Sequence, residues 1–139
     1  MPQPKGTRVP TTLLVLISLN WSVSLVCLFV WIELLADPTG ASLWLPPMTM
    51  LASPFSDYTA PGLVLLVGVV IPTFLAGLSL VTRWKFAGQA SLLAGILIWV
   101  FGTLDWFWFG TSGLRFVVFA FVGLLQVGLS MRALALAAR

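Results

Sequence analysis

The sequence predicts an all-α integral membrane protein: four transmembrane helices in one bundle, both termini cytoplasmic, and a long, partly apolar outer loop between the first two helices. Three observations lead there. Hydrophobic residues make up 60% of the 139 and charged residues only 8%, against about 25% charged in soluble domains. Four apolar stretches are each long enough to cross a hydrocarbon core of about 30 Å, which takes about 20 helical residues. Nearly all Lys and Arg fall on one side once those stretches are made to alternate.

The stretches run from Thr11 to Leu35, Pro61 to Thr82, Ala87 to Phe107 and Leu114 to Leu136. In lipid every backbone N–H and C=O must be satisfied inside the protein, and runs without alternating polar positions read as helices rather than barrel strands. Pro10 before Thr11 and Thr12, and Thr59 before Pro61, pair a hydroxyl cap candidate with a proline that has no N–H to satisfy. Asp57 precedes the second helix, where a negative charge suits the positive end of the helix dipole. In the middle of that helix Gly68 and Pro72 predict a kink, because proline removes a donor and its ring clashes with the preceding turn. The whole chain, 1–139, reads as a single membrane domain.

Orientation follows from charge. Lys5, Arg8, Arg83, Lys85, Arg132 and Arg139 share one side and Arg115 lies on the other, so the positive-inside rule places both termini in the cytoplasm. Glu33, Asp37, Asp57 and Asp105 then lie outside, and Trp31, Trp106, Trp108 and Phe109 mark the outer interface. The expected setting is a bacterial inner membrane crossed several times. The first stretch is too long for a signal peptide and lacks a small-x-small cleavage site, so it is expected to be retained. Between Ala36 and Ala60, Trp44, Leu45, Met48, Met50, Leu51 and Phe55 surround Pro46 and Pro47. That piece is too short and too broken to span, and either covers the outer end of the bundle or dips into the headgroups.

Composition also excludes chemistry. The chain has no His and one Cys, Cys27, inside an apolar run, which removes internal disulfides, thiolate zinc sites, Cys-His nucleophile pairs and His-ligated haem. The net charge of +3 is scattered singly rather than clustered, which argues against nucleic-acid binding. No catalytic constellation, phosphate loop or carrier-type repeat is visible, so neither enzymatic activity nor a resident cofactor or metal is expected.

The run from Ser53 through Asp57 to Leu63, with Ser53-Pro54-Phe55 and Pro61-Gly62-Leu63 leading into an apolar helix, resembles a segment of small uncharacterised bacterial four-helix membrane proteins. The resemblance implies the same topology and brings no activity with it. In helix count the plan is also similar to that of DoxX-like proteins, which implies a role in quinone-linked redox chemistry; with no His in the chain, any cofactor would come from a partner.

Two groups of residues stand out as candidate sites. Asn20 and Gln126 are the amides in the interiors of the helices, about 14 Å from the cytoplasmic side and about 18 Å from the outer side of a core of about 30 Å. At nearly equal depth, with an unpaired amide costing several kcal/mol in hydrocarbon, they are expected to pair structurally between the first and fourth helices. Glu33, Asp105 and Arg115 share the outer level of the bilayer, ringed by Trp31, Trp106 and Trp108. Arg115 should pair with Asp105, with Glu33 joining if the first helix packs beside them, either as a structural ion pair or as a ligand-binding cluster. Ala87, Ser91, Gly95 and Gly102 form a small-residue ridge, expected to serve packing within the chain ahead of a dimer contact.

The expected function is a non-enzymatic one: an accessory subunit of a membrane complex, or a binder of a lipid or other hydrophobic ligand at the outer face. Its partners would be the lipid bilayer and a membrane protein or further copies of the chain. The alternatives are an oligomeric small-solute transporter or channel, disfavoured because the midplane holds only amides, hydroxyls and one proline kink, and a quinone-linked redox subunit.

Overall fold

A computed structural model describes residues 10–47, 53–109 and 113–138. Lys5, Arg8, Met48, Met50, Leu51 and Arg139 lie outside the described residues. Among those described there is no strand. Four helices are long and apolar enough to cross a membrane: α1, Thr11–Ala36; α2, Thr59–Val81; α3, Ala87–Phe109; and α4, Gly113–Ala137. Each extends a residue or two beyond the stretch expected from the sequence, except that α2 starts earlier and stops at Val81.

The capping expectations need correction. Pro10 is the residue before α1 and no side chain caps that end, because Thr11 and Thr12 are already helical. Before α2, the carboxylate of Asp57 accepts the backbone N–H of Thr59 at 2.9 Å, so an acid does what a hydroxyl was expected to do. Proline in α2 is accommodated by a π turn at Leu66–Val70. Pro72 has no N–H for the carbonyl four residues back, and a wider turn just upstream lets the chain pass its ring. Hydroxyls gather on the neighbouring carbonyls: Thr73 Oγ1 donates to Val69 O at 2.7 Å and Ser24 Oγ of α1 donates to Val70 O at 3.2 Å.

The link from α2 to α3 is a complete Schellman motif. Trp84 N–H donates to Ser79 O at 2.9 Å and Arg83 N–H to Leu80 O at 3.3 Å, with Arg83 in the left-handed region at φ 53°.

The core is stacked in three levels. At the end holding the chain termini, Leu16, Leu80 and Ala87 pack together. In the middle lie Cys27, Leu65, Val69, Val70, Ile98 and Phe101. At the far end Leu34, Tyr58 and Phe109 meet Leu43 and Leu45 from the loop. The bundle is inside-out by the standards of a soluble protein. Asn20, Thr73, Ser91, Gln126 and Ser130 are fully buried, while Val26, Phe29, Val67, Phe107 and Phe121 are more than half exposed. Such a belt of exposed apolar side chains suits hydrocarbon rather than water.

α3 and α4 approach most closely. A Cβ on Gly95 would meet Val127 N at 3.1 Å, and one on Gly123 would meet Gly95 O at 3.0 Å. The ridge of Ala87, Ser91, Gly95 and Gly102 is buried, and Gly95 and Gly102 face α4. It is therefore used within the chain.

Candidate functional site

Two polar sites occupy different levels. At mid-bundle Gln126 Nε2 donates to Asn20 Oδ1 at 2.9 Å and to Ser91 O at 3.0 Å. Asn20 Nδ2 donates to Leu16 O at 2.8 Å and to Ser91 Oγ at 3.2 Å, and Ser130 Oγ donates to Ser91 Oγ at 3.0 Å. The network ties α1, α3 and α4 together at one depth. Gln126 Oε1 is its one buried side-chain atom without a partner among the described residues. The sequence suggested the two amides but not their hub, because Ser91 reads there as one small residue in a ridge.

At the loop end lies a cavity of about 230 Å³, lined by Val30, Leu34, Leu43, Leu45, Tyr58, Pro61, Leu65, Phe101, Asp105, Phe109, Arg115 and Phe119. Its walls are apolar except where Tyr58, Asp105 and Arg115 converge. The roof is pinned by the chain itself. Asp37 accepts from Thr39 Oγ1 at 2.6 Å, Thr39 N–H at 3.1 Å and Ser42 N–H at 2.9 Å. These bonds, led by that from the Thr39 hydroxyl, hold the Asp37 carboxyl below its usual value. Gly40 then turns at φ 74°, where a Cβ would meet the Tyr58 ring at 2.9 Å. The backbone climbs through a 3₁₀ turn at Ala41–Leu43, which aims Leu43 and Leu45 downward while Trp44 stands 95% exposed.

Tyr58 is the tie between roof and bundle. Its N–H donates to Pro38 O at 2.9 Å, its hydroxyl donates to Pro46 O at 2.8 Å, and its ring lies 5.5 Å from that of Phe109. Burial pushes the phenol above its ordinary pKa, so at neutral pH it keeps the proton it donates.

Arg115 Nη1 lies 3.9 Å from Asp105 Oδ1, and its guanidinium sits 5.9 Å from the Phe109 ring centre. Of the six residues singled out at this level, Asp105 and Arg115 line the cavity. Glu33 is not among the residues that line it. Trp31 lines a small neighbouring crevice with Gly62. Trp106 is 53% exposed and rests against Phe116, and Trp108 packs edge-on against Phe55 at 5.0 Å. Helical geometry explains the division: Phe109 is one turn from Asp105 and shares its face, whereas Trp106 is rotated about 100° away. Leu43 and Tyr58 escaped the sequence reading, which named Leu45 only within the apolar piece of the outer loop; the signal in the sequence was the single Tyr at the mouth of α2, a ring whose hydroxyl needs a partner when buried.

No metal-binding group of His, Cys, Asp or Glu occurs among the described residues. The chain matches no known protein family, curated protein or solved structure.

Proposed function

We propose that this is a non-enzymatic membrane protein that binds a hydrophobic molecule by its small polar end, in the cavity beneath the 37–58 loop. The observation that carries this is an apolar chamber with one compensated pair, Asp105 and Arg115, in its wall. Because the two charges offset each other, the cavity offers donors and acceptors with little net field, which favours a neutral or zwitterionic end group over an anion. At about 230 Å³ the chamber is smaller than the ~300–1,000 Å³ of typical ligand pockets, so it takes an end group and not a whole lipid.

The reading includes both termini on the cytoplasmic side of a bacterial inner membrane, supported by the one-sided distribution of Lys and Arg. A transporter is less well supported, since the polar groups at mid-bundle are spent on one another.

The test is native mass spectrometry of delipidated protein titrated with a long-chain monoacylglycerol, the matching fatty acid and the matching alkylammonium. The neutral amphiphile should be retained best. Leu45→Trp, which fills the chamber from its roof, should weaken retention about tenfold, or ~1.4 kcal/mol. Equal retention of all three amphiphiles, unchanged by Leu45→Trp, would overturn the proposal.

A further inference from the structure

We infer that the tail of the bound molecule leaves the chamber sideways and lies in a lipid-facing groove between α1 and α4, with Phe119 as the shared wall between the two. This rests on the proposed function and adds the ligand's class, a single-chain amphiphile drawn from the bilayer.

A groove of about 340 Å³ runs between Leu19, Ser22 and Val26 of α1 and Val118 and Val122 of α4, with Ile98 of α3 at its floor. Phe119 lines both this groove and the polar-ended chamber. Either volume alone falls near or below the lower limit of ordinary ligand sites, and the two together fall inside their range. α1 and α4 touch less than α1 and α2, α2 and α3 or α3 and α4 do. Below the groove they are joined through the bond from Gln126 Nε2 to Asn20 Oδ1, so the amide pair closes one end of the slot.

The direction is also right for an amphiphile. The chamber lies at the loop end beside Arg115 and Asp105, near the ends of α4 and α3, and the groove descends from Val118 to Leu19 at mid-bundle. Leu19 to Val26 spans about 10 Å of helix rise, room for part of one extended chain. A lipid beside the bundle would need only to tilt its tail into the slot while its polar end enters beneath the roof.

The experiment uses a monoacylglycerol carrying a mid-chain diazirine, with the full-length protein in detergent micelles. Photolysis should label the peptides containing residues 22–27 and 118–122 in preference to the α2 face around Val67, which is 63% exposed like Val26. Val26→Phe with Val118→Phe should lower both that labelling and retention in native mass spectra by about tenfold, because added rings occupy the apolar volume, while Val67→Phe changes neither. If the double variant loses its helical circular dichroism, Ser22→Phe replaces it, with the same expectation. Uniform labelling of α1, α2 and α4 would overturn the inference. Unchanged retention in the groove variants, with retention still lost in Leu45→Trp, would overturn it while leaving the chamber. Unchanged retention in both would overturn groove and chamber together.

Discussion

Replacing Gln126 by Met keeps the side-chain volume nearly constant and removes only the amide. Two donated bonds disappear, to Asn20 Oδ1 at 2.9 Å and Ser91 O at 3.0 Å. Gln126 Oε1, unpartnered in the native fold, goes with them, and Asn20 Oδ1 becomes the new orphan. The number of orphans is thus unchanged, and the cost reduces to two bonds at ~0.6 kcal/mol each, about 1.2 kcal/mol in all. In Asn20→Leu/Gln126→Met no orphan is left, so the second substitution costs less than it does alone. The expected coupling energy is about 0.6 kcal/mol and no more than about 1.7. Reversible unfolding in mixed detergent and dodecyl sulfate micelles, followed by circular dichroism, gives the four stabilities needed. Additivity within about 0.3 kcal/mol would refute the reasoning, since the amides would then contribute independently. A Gln126→Met cost above about 3 kcal/mol would refute the value assigned to each bond.

Arg83→Gly should stabilise the chain by about 1 kcal/mol in the same assay, because Arg83 occupies the left-handed position that glycine takes without strain. Gly40→Ala should loosen the roof by about 1–2 kcal/mol and more from contact with the Tyr58 ring, read as faster proteolysis between residues 37 and 58 with the helices intact. Asp37 has a folded pKa below its unfolded value, so its contribution is present above the ordinary carboxylate range and disappears as pH falls through the lowered value. Asp37→Asn should therefore flatten the acid limb of roof proteolysis while leaving neutral-pH helicity unchanged. Finally, cysteine placed at Trp44 should react with an impermeant maleimide from outside the cell and cysteine at Trp84 should not. Cys27, 6% exposed, leaves a quiet background.

Helix number and approximate limits were legible because bilayer thickness fixes a length that apolar runs either reach or do not. Depth alone brought Asn20 and Gln126 together, since an amide in hydrocarbon has few places to find a partner. The rest depended on rotation, which depth does not supply. Asp105, Trp106 and Trp108 are near neighbours in sequence, yet only the first faces the chamber. The roof was hidden for another reason: its shape comes from Asp37 gathering three donors and from Gly40 and Trp44 at positive φ, local features of a segment with no periodicity to read. The π turn left no signature beyond Pro72.

That π turn has a consequence for how α2 can change. A turn closed by bonds to the fifth residue holds one residue more than an α turn, and one residue is about 100° of rotation. The two ends of α2 are thus out of phase: Pro61, Gly62 and Leu65 face inward on one count, and Thr73, Ala76 and Leu80 on another. Removing a single residue from 66–70 would close the wider turn against the Pro72 ring and swing one end away from its neighbours, as though a gear had skipped a tooth. Substitutions leave that offset intact, so each end can exchange its packing residues separately, the chamber end independently of the end that meets α3. Insertions and deletions cannot. Over this stretch the length of the chain is constrained more tightly than its letters.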